Sequence, residues 1–86
     1  MPETFIVTVM DTSGRFETDL EIPSRLPFIA FKAKLLEILK MMDSHAFGGW
    51  PDYYLRFKSQ MLSDNDTLAN VGAFDGSRLV AERVRL

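Results

Sequence analysis

A few short stretches carry residue types that could do chemistry. His45 stands beside Asp43, with Asp52 farther along the same stretch. An imidazole and two carboxylates are the beginnings of a metal site or an acid–base pair. Either would need further ligands converging on the imidazole, and the rest of the chain offers no obvious ones. "DTSG", residues 11–14, places a serine next to a glycine, but a nucleophile elbow lies between a strand and a helix and needs a partner base. Gly48-Gly49 leads into a strand pattern, whereas a phosphate loop leads into a helix. Asp64, Asn65 and Asp66 copy part of a calcium loop without its spacing or its closing glutamate. The sequence therefore supplies no catalytic residue, no cofactor site and no metal site, and an enzyme is not expected.

The elements that would position these residues are easier to read. In "TFIVTVMDTSGRFETDLEI", Phe5, Val7 and Val9 alternate with Ile6, Thr8 and Met10. Phe16, Thr18, Leu20 and Ile22 then alternate with Glu17, Asp19 and Glu21. The spacing predicts a β-hairpin turned by Asp11, Ser13 and Gly14, with one face apolar and the other open to water. Pro23 ends the second strand, and Pro27 suits the first turn of a helix. Phe31, Leu35, Ile38, Leu39 and Met42 fall on one helical stripe, which predicts a helix from about Leu26 to Met42. Ile29, Ala33 and Leu36 make a second, narrower apolar stripe. The loop that follows is expected to cover it, or else it is a partner or self-association surface. "DSHAFGGWPD" reads as that loop, with Trp50 expected to plug one end of the core. "YYLRFK" predicts a third strand with Tyr53, Leu55 and Phe57 inward and Tyr54, Arg56 and Lys58 outward. "ML" reads as a strand remnant. One turn of helix follows, sealing the core with Leu68, Val71 and Phe74 and capped by "SDND". Asp75-Gly76 then reverses the chain into a last strand with Leu79 and Ala81 inward and Val80, Glu82 and Val84 outward.

The 86 residues form one domain, 1–86, with 47% apolar residues and no cysteine. Ten basic against twelve acidic residues leave a net charge of −2, which argues against wholesale binding to nucleic acid or to anionic membranes. No segment approaches the run of about eighteen apolar residues that a membrane span needs, and the N-terminus lacks the pattern of a signal peptide. A cytoplasmic location without membrane insertion is the expectation.

Hairpin, helix, strand, very short strand, helical turn and strand is the order of the α+β, β-grasp fold: a mixed sheet of four to five strands wrapped around one long helix. Here the sequence resembles ubiquitin and its relatives over nearly the whole chain. The resemblance lies in the hairpin, "EIPS", "FKAKLL" and "YLRFKSQMLSDNDTLANVGAFDGSRLV". It is closest to the YukD-like (EsaB-like) ubiquitin-like proteins of type VII secretion systems, on "DLEIPSRLPFIAFKAKLLEIL" and "TLANVGAFDGSRLVAERV". Gly49-Trp50 is similar to a feature of the ubiquitin-like domain on that system's membrane channel subunit. The resemblance implies a small bacterial accessory protein, not conjugated to targets, that acts by protein–protein contact with secretion components.

Two features bear on the branch. Modifiers and sulfur carriers work through a terminal diglycine, whereas this sequence ends "ERVRL", so the alternative of a modifier or carrier activated at its C-terminus is disfavoured. In ubiquitin an apolar patch on the open face receives most readers, and its central positions align with Arg56 and Glu82. Across this face the sequence predicts an acidic edge (Glu17, Asp19, Glu21), an apolar middle (Ile6, Met10, Val80, Val84) and a basic far side (Arg56, Lys58). Ile6, Met10, Arg56, Lys58, Val80 and Glu82 are thus candidate partner-binding residues. Ile29 and Leu36 on the helix are a second candidate, open to a homodimer. A nucleic-acid platform of Tyr53, Tyr54, Arg56 and Lys58 would be opposed by the acidic second strand.

Overall fold

Alternation of apolar and polar side chains decides which way each strand faces. The computed structural model describes residues 3–85. β1 (Thr4–Asp11) buries Phe5, Val7 and Val9, and β2 (Glu17–Pro23) runs antiparallel to it with Val7 opposite Leu20. Between them the Asp11 carboxylate accepts from the Ser13 hydroxyl at 2.8 Å, and Gly14 takes φ +74°, a conformation open to a residue without Cβ. β3 (Tyr53–Phe57) buries Tyr53, Leu55 and Phe57, then turns sharply into the two-residue β4 (Gln60–Met61). β5 (Arg78–Arg83) lies parallel to β1 and antiparallel to β3, so the sheet is mixed, in the order β2-β1-β5-β3-β4.

Across the concave side lies α1 (Phe28–Met42), burying Phe28, Phe31, Leu35 and Leu39 at the spacing the sequence predicts. Ile38 is half-buried and Met42 exposed, so the stripe is narrower than expected. The helix starts two residues later than predicted because Pro27, at φ −59° and ψ 144°, is extended backbone in the cap position. No side chain caps this end. Instead the carbonyls of Asp66 and Asp64 accept the first N–H groups, from Phe28 at 2.8 Å and Ile29 at 3.0 Å. The acidic stretch "SDND" therefore caps α1 rather than the turn that follows it, and its negative charge suits the positive end of the helix dipole.

The stretch after it departs from expectation. Residues 67–72 form a hydrogen-bonded turn, with Thr67 Oγ1 accepting the Asn70 N–H at 3.0 Å. The turn closes through Ala73 N–H to the Leu68 carbonyl at 2.9 Å, a wider loop than an α-helical one. That closure aims Ala73 inward and leaves Phe74 56% exposed, so the seal is Leu68 and Ala73 with Val71 half-buried. The short helix falls elsewhere, as α2 (Ser44–Phe47) within the predicted loop, where the Asp43 carboxylate accepts the Ala46 N–H at 3.0 Å. Phe47 is fully buried, its ring edge-on to Phe16 (4.8 Å between centroids) and to Trp50 (4.7 Å). The plug is thus Phe47, and the half-buried Trp50 covers it. Although α2 packs on α1, it leaves Ile29 exposed and Leu36 half-buried. The last strand stops at Arg83, the Val84 N–H donates to the Asp52 carbonyl at 3.1 Å, and Leu86 lies outside the described residues.

Phe47→Ala should destabilise the fold by about 3–5 kcal/mol, the range for a fully buried aromatic. Trp50→Ala should cost less, since that side chain is only partly buried. Urea unfolding followed by circular dichroism orders the two; an equal loss would return the plug to Trp50.

A candidate interaction face on the open side of the sheet

Strand parity places Ile6, Met10, Arg56, Val80 and Glu82 on the convex face of the sheet, opposite the core. The pairing registers then fix their neighbours. Glu17, Met10, Val80, Arg56 and Met61 stand directly opposite one another in turn, one residue from each strand, as a row crossing the whole sheet. Tyr54 lies opposite Glu82 in the adjoining row. Arg56 and Glu82 are therefore diagonal neighbours rather than directly opposed, and the guanidinium reaches the carboxylate at 2.5 Å. Both side chains are more than a third exposed, so the pair contributes little stability, of order 0–1 kcal/mol. Its effect is on surface character: two charges occupy the centre of the face.

The expected acidic-to-basic gradient holds only in part. Thr8 divides the apolar middle, standing between Ile6 and Met10 on β1 and donating its hydroxyl to Asp19 at 2.7 Å. Beside Thr8 on β5, Arg78 reaches over Met10 (3.9 Å from its sulfur) to Glu17 at 3.0 Å. Lys58 is not on the strand at all. It sits in the β3–β4 turn at φ +55°, with its ammonium 5.3 Å from the Phe57 ring centre. The basic side of the face is thus Arg56 alone on its strand, with Arg78 carrying positive charge into the acidic side. Arg78, Tyr54 and Met61 are functional candidates that composition could not single out; the last two are about half exposed. Tyr54 was legible as outward from parity, whereas Arg78 needed the register.

Other sequence candidates lie apart from this face. Ile29 and Leu36 are on α1, where Ala33, Leu36, Glu37, Lys40 and Met41 line a shallow depression. His45 shares a small hollow with Asp11 and Asp43, while Asp52 is elsewhere, 3.3 Å from the Lys32 ammonium. Among the described residues no three carboxylate, imidazole or thiol side chains could hold a metal ion together. Asp52 is tied to the frame. Its carboxylate accepts the Tyr53 N–H at 2.8 Å, and this bond, aided by Lys32, holds its pKa below the usual carboxylate value. The nucleic-acid platform fails on geometry, because the Tyr53 ring faces the core, 1% exposed, and its hydroxyl donates to the Lys32 carbonyl at 2.7 Å. A stacking platform needs that ring at the surface.

No protein-family model matches the sequence, and no curated protein matches it either. Solved structures do. The chain is similar to the ubiquitin-like domain of the Mycobacterium tuberculosis type VII secretion system protein ECCD1, at 24% identity and TM-score 0.74, over 92% of this chain and 97% of that one. It matches part of the MycP5-free ESX-5 inner membrane complex at 18% identity and TM-score 0.79, over 99% of this chain and 22% of that much longer one. Ubiquitin of Caldiarchaeum subterraneum matches at 20% identity and TM-score 0.72, over 96% of both chains. These likenesses give the fold: the chain adopts the ubiquitin-like β-grasp fold. No helix among the described residues is long and apolar enough to cross a membrane.

Two measurements check this account. A double-mutant cycle of Arg56→Ala and Glu82→Ala should give a coupling below about 1 kcal/mol in urea unfolding. A larger value would make the pair structural. Burial, reinforced by the Asp52 carboxylate, pushes the Tyr53 phenol far above its ordinary value of 10.0. The unfolded chain then loses this proton first as pH rises, so the group's contribution is intact below about pH 10 and declines above it. In a Tyr54→Phe variant, absorbance at 295 nm should stay flat until the alkaline unfolding transition; a gradual rise ahead of unfolding would contradict the buried phenol.

Proposed function

We propose that the protein is a non-conjugated, YukD-like accessory of a bacterial type VII (ESX-like) secretion system, working in the cytoplasm by protein–protein contact. The fit of nearly the whole chain to the ubiquitin-like domain of the type VII protein ECCD1, and to part of the ESX-5 inner membrane complex, carries this reading. A working face is also at hand. Met10, Val80 and Met61 offer apolar contact, while Arg56, Glu82 and Arg78 set orientation around them. In the resemblance read from the sequence, Arg56 and Glu82 align with the positions where ubiquitin presents apolar side chains to its readers, and desolvating two charges there would penalise such a reader.

Affinity capture from the native cytosol tests this with wild-type protein, Arg56→Glu and Val80→Asp. Wild type should retain a secretion component that both variants lose by tenfold or more, with circular dichroism unchanged. Intact mass of protein recovered from cells should show one unmodified species. A mass adduct on the terminal carboxylate would instead favour the modifier or carrier reading, for which the likeness to an archaeal ubiquitin speaks. Capture of no secretion component would end the proposal.

A further inference from the structure

The hydrogen bonds at the ends of the hairpin show which way the backbone of β2 faces. Asp11 N–H donates to the Phe16 carbonyl at 3.4 Å, and Ser24 N–H donates to the Glu3 carbonyl at 2.8 Å. Between these ends the register is unbroken, Phe5 opposite Ile22, Val7 opposite Leu20 and Val9 opposite Thr18. Ladder bonds alternate along an antiparallel pair, so these odd-numbered β1 residues make them. The N–H and C=O groups of Glu17, Asp19 and Glu21 then point away from β1. β2 is a terminal strand of the sheet, so those groups form a free hydrogen-bonding edge. Pro23, opposite Thr4, is in the same outward set, which is where a residue without an N–H does least harm.

Beside this edge is a groove of about 280 Å³ between β2 and α1. Its lining is mainly apolar, from Leu20, Leu26, Ala30, Phe31, Leu35 and Ile38. On the other face of the same strand stand Glu17, Asp19 and Glu21. Glu17 is paired with Arg78, but among the described residues Asp19 and Glu21 accept from the neutral hydroxyls of Thr8 and Thr4, at 2.7 and 2.8 Å, and neither forms an ion pair. A sixth strand laid on this edge would place alternate side chains in the apolar groove and the rest beside carboxylates.

We infer that the β2 edge takes up an extended partner segment of about five residues in which aliphatic side chains alternate with Lys or Arg. Main-chain bonds to Glu17, Asp19 and Glu21 hold it, the groove takes its aliphatic side chains, and the carboxylates select its basic ones. A second copy of this chain is the wrong occupant, since β2 against β2 sets one row of carboxylates on another. The backbone edge and the groove are separate from the Met10, Val80 and Arg56 centre of the open face, sharing with that face only the carboxylates at its margin, and the inference stands or falls separately from the role given to that centre.

Synthetic heptapeptides titrated into the intact protein, followed by amide chemical shifts and fluorescence anisotropy, test the inference. An alternating Val/Lys peptide should saturate, with shifts confined to residues 17–22, Ala30 and Lys34. An alternating Val/Glu peptide should bind at least tenfold more weakly. N-methylation of one alternating set of peptide nitrogens should abolish binding, while the other set is tolerated. Asp19→Lys should weaken the complex fivefold or more, and Ala30→Phe, filling the groove from an exposed helix position, tenfold. Shifts centred on Met10, Val80 and Arg56, equal binding of both charge types, or indifference to both N-methylated sets would overturn it, as would self-association through β2. The N-methylated peptides leave the protein unaltered, so the test holds even if a variant misfolds.

Discussion

The structure depends on one contact: the apolar stripe of α1 seated in the concavity of a sheet that has only one dry side. Phe28, Phe31, Leu35 and Leu39 meet Phe5, Val7, Val9, Leu55, Leu79 and Ala81, all buried. Because side chains alternate along a strand, this contact fixes the parity of every strand it touches. A slip of one residue in β5 would carry Leu79 into water and Val80 into the core. The burial of one face thus writes the other. The row of Glu17, Met10, Val80, Arg56 and Met61 is on the surface because its neighbours in sequence are not.

The contact in turn depends on a long-range cap. A helix opening on an extended proline, with no side chain to receive its first N–H groups, would leave buried donors unpaired. The carbonyls of Asp64 and Asp66 answer that need from some forty residues' distance along the chain, and the Ala69 N–H returns a bond to the Ser24 carbonyl at 2.9 Å. The helix therefore gains its full stability only once the segment after β4 has docked. Cooperativity of folding follows from this, since neither piece satisfies its backbone alone.

Sequence reading succeeded where a period repeats and failed where it does not. Alternation gave the inward sets of β1, β3 and β5, and 3–4 spacing gave the buried stripe of α1. Phe47 was missed because a single apolar residue among Gly, Ser and Asp has no period, and the larger Trp50 drew the assignment. Phe74 and Ala73 were exchanged because the turn closes with a bond wider than an α-helical one, which rotates the last residue. Lys58 continued the β3 alternation on paper, but the chain reverses there through a left-handed residue. For the candidate face, parity sufficed to name Ile6, Met10, Arg56, Val80 and Glu82. Their arrangement, with Arg56 diagonal to Glu82 and Thr8 splitting the apolar middle, required the register between strands distant in sequence.

The two ends of the sheet are treated differently, and the difference has a physical sense. At one end β4 is only two residues long, too short to template a neighbour. At the other, β2 is seven residues long with unpaired backbone, protected only by Pro23 at its end and by carboxylates on its outer face. Charge of one sign excludes copies of the same chain without excluding a strand of opposite sign, so it acts as a filter rather than a cover. A protein whose only concern was solubility could have closed both edges in the same way.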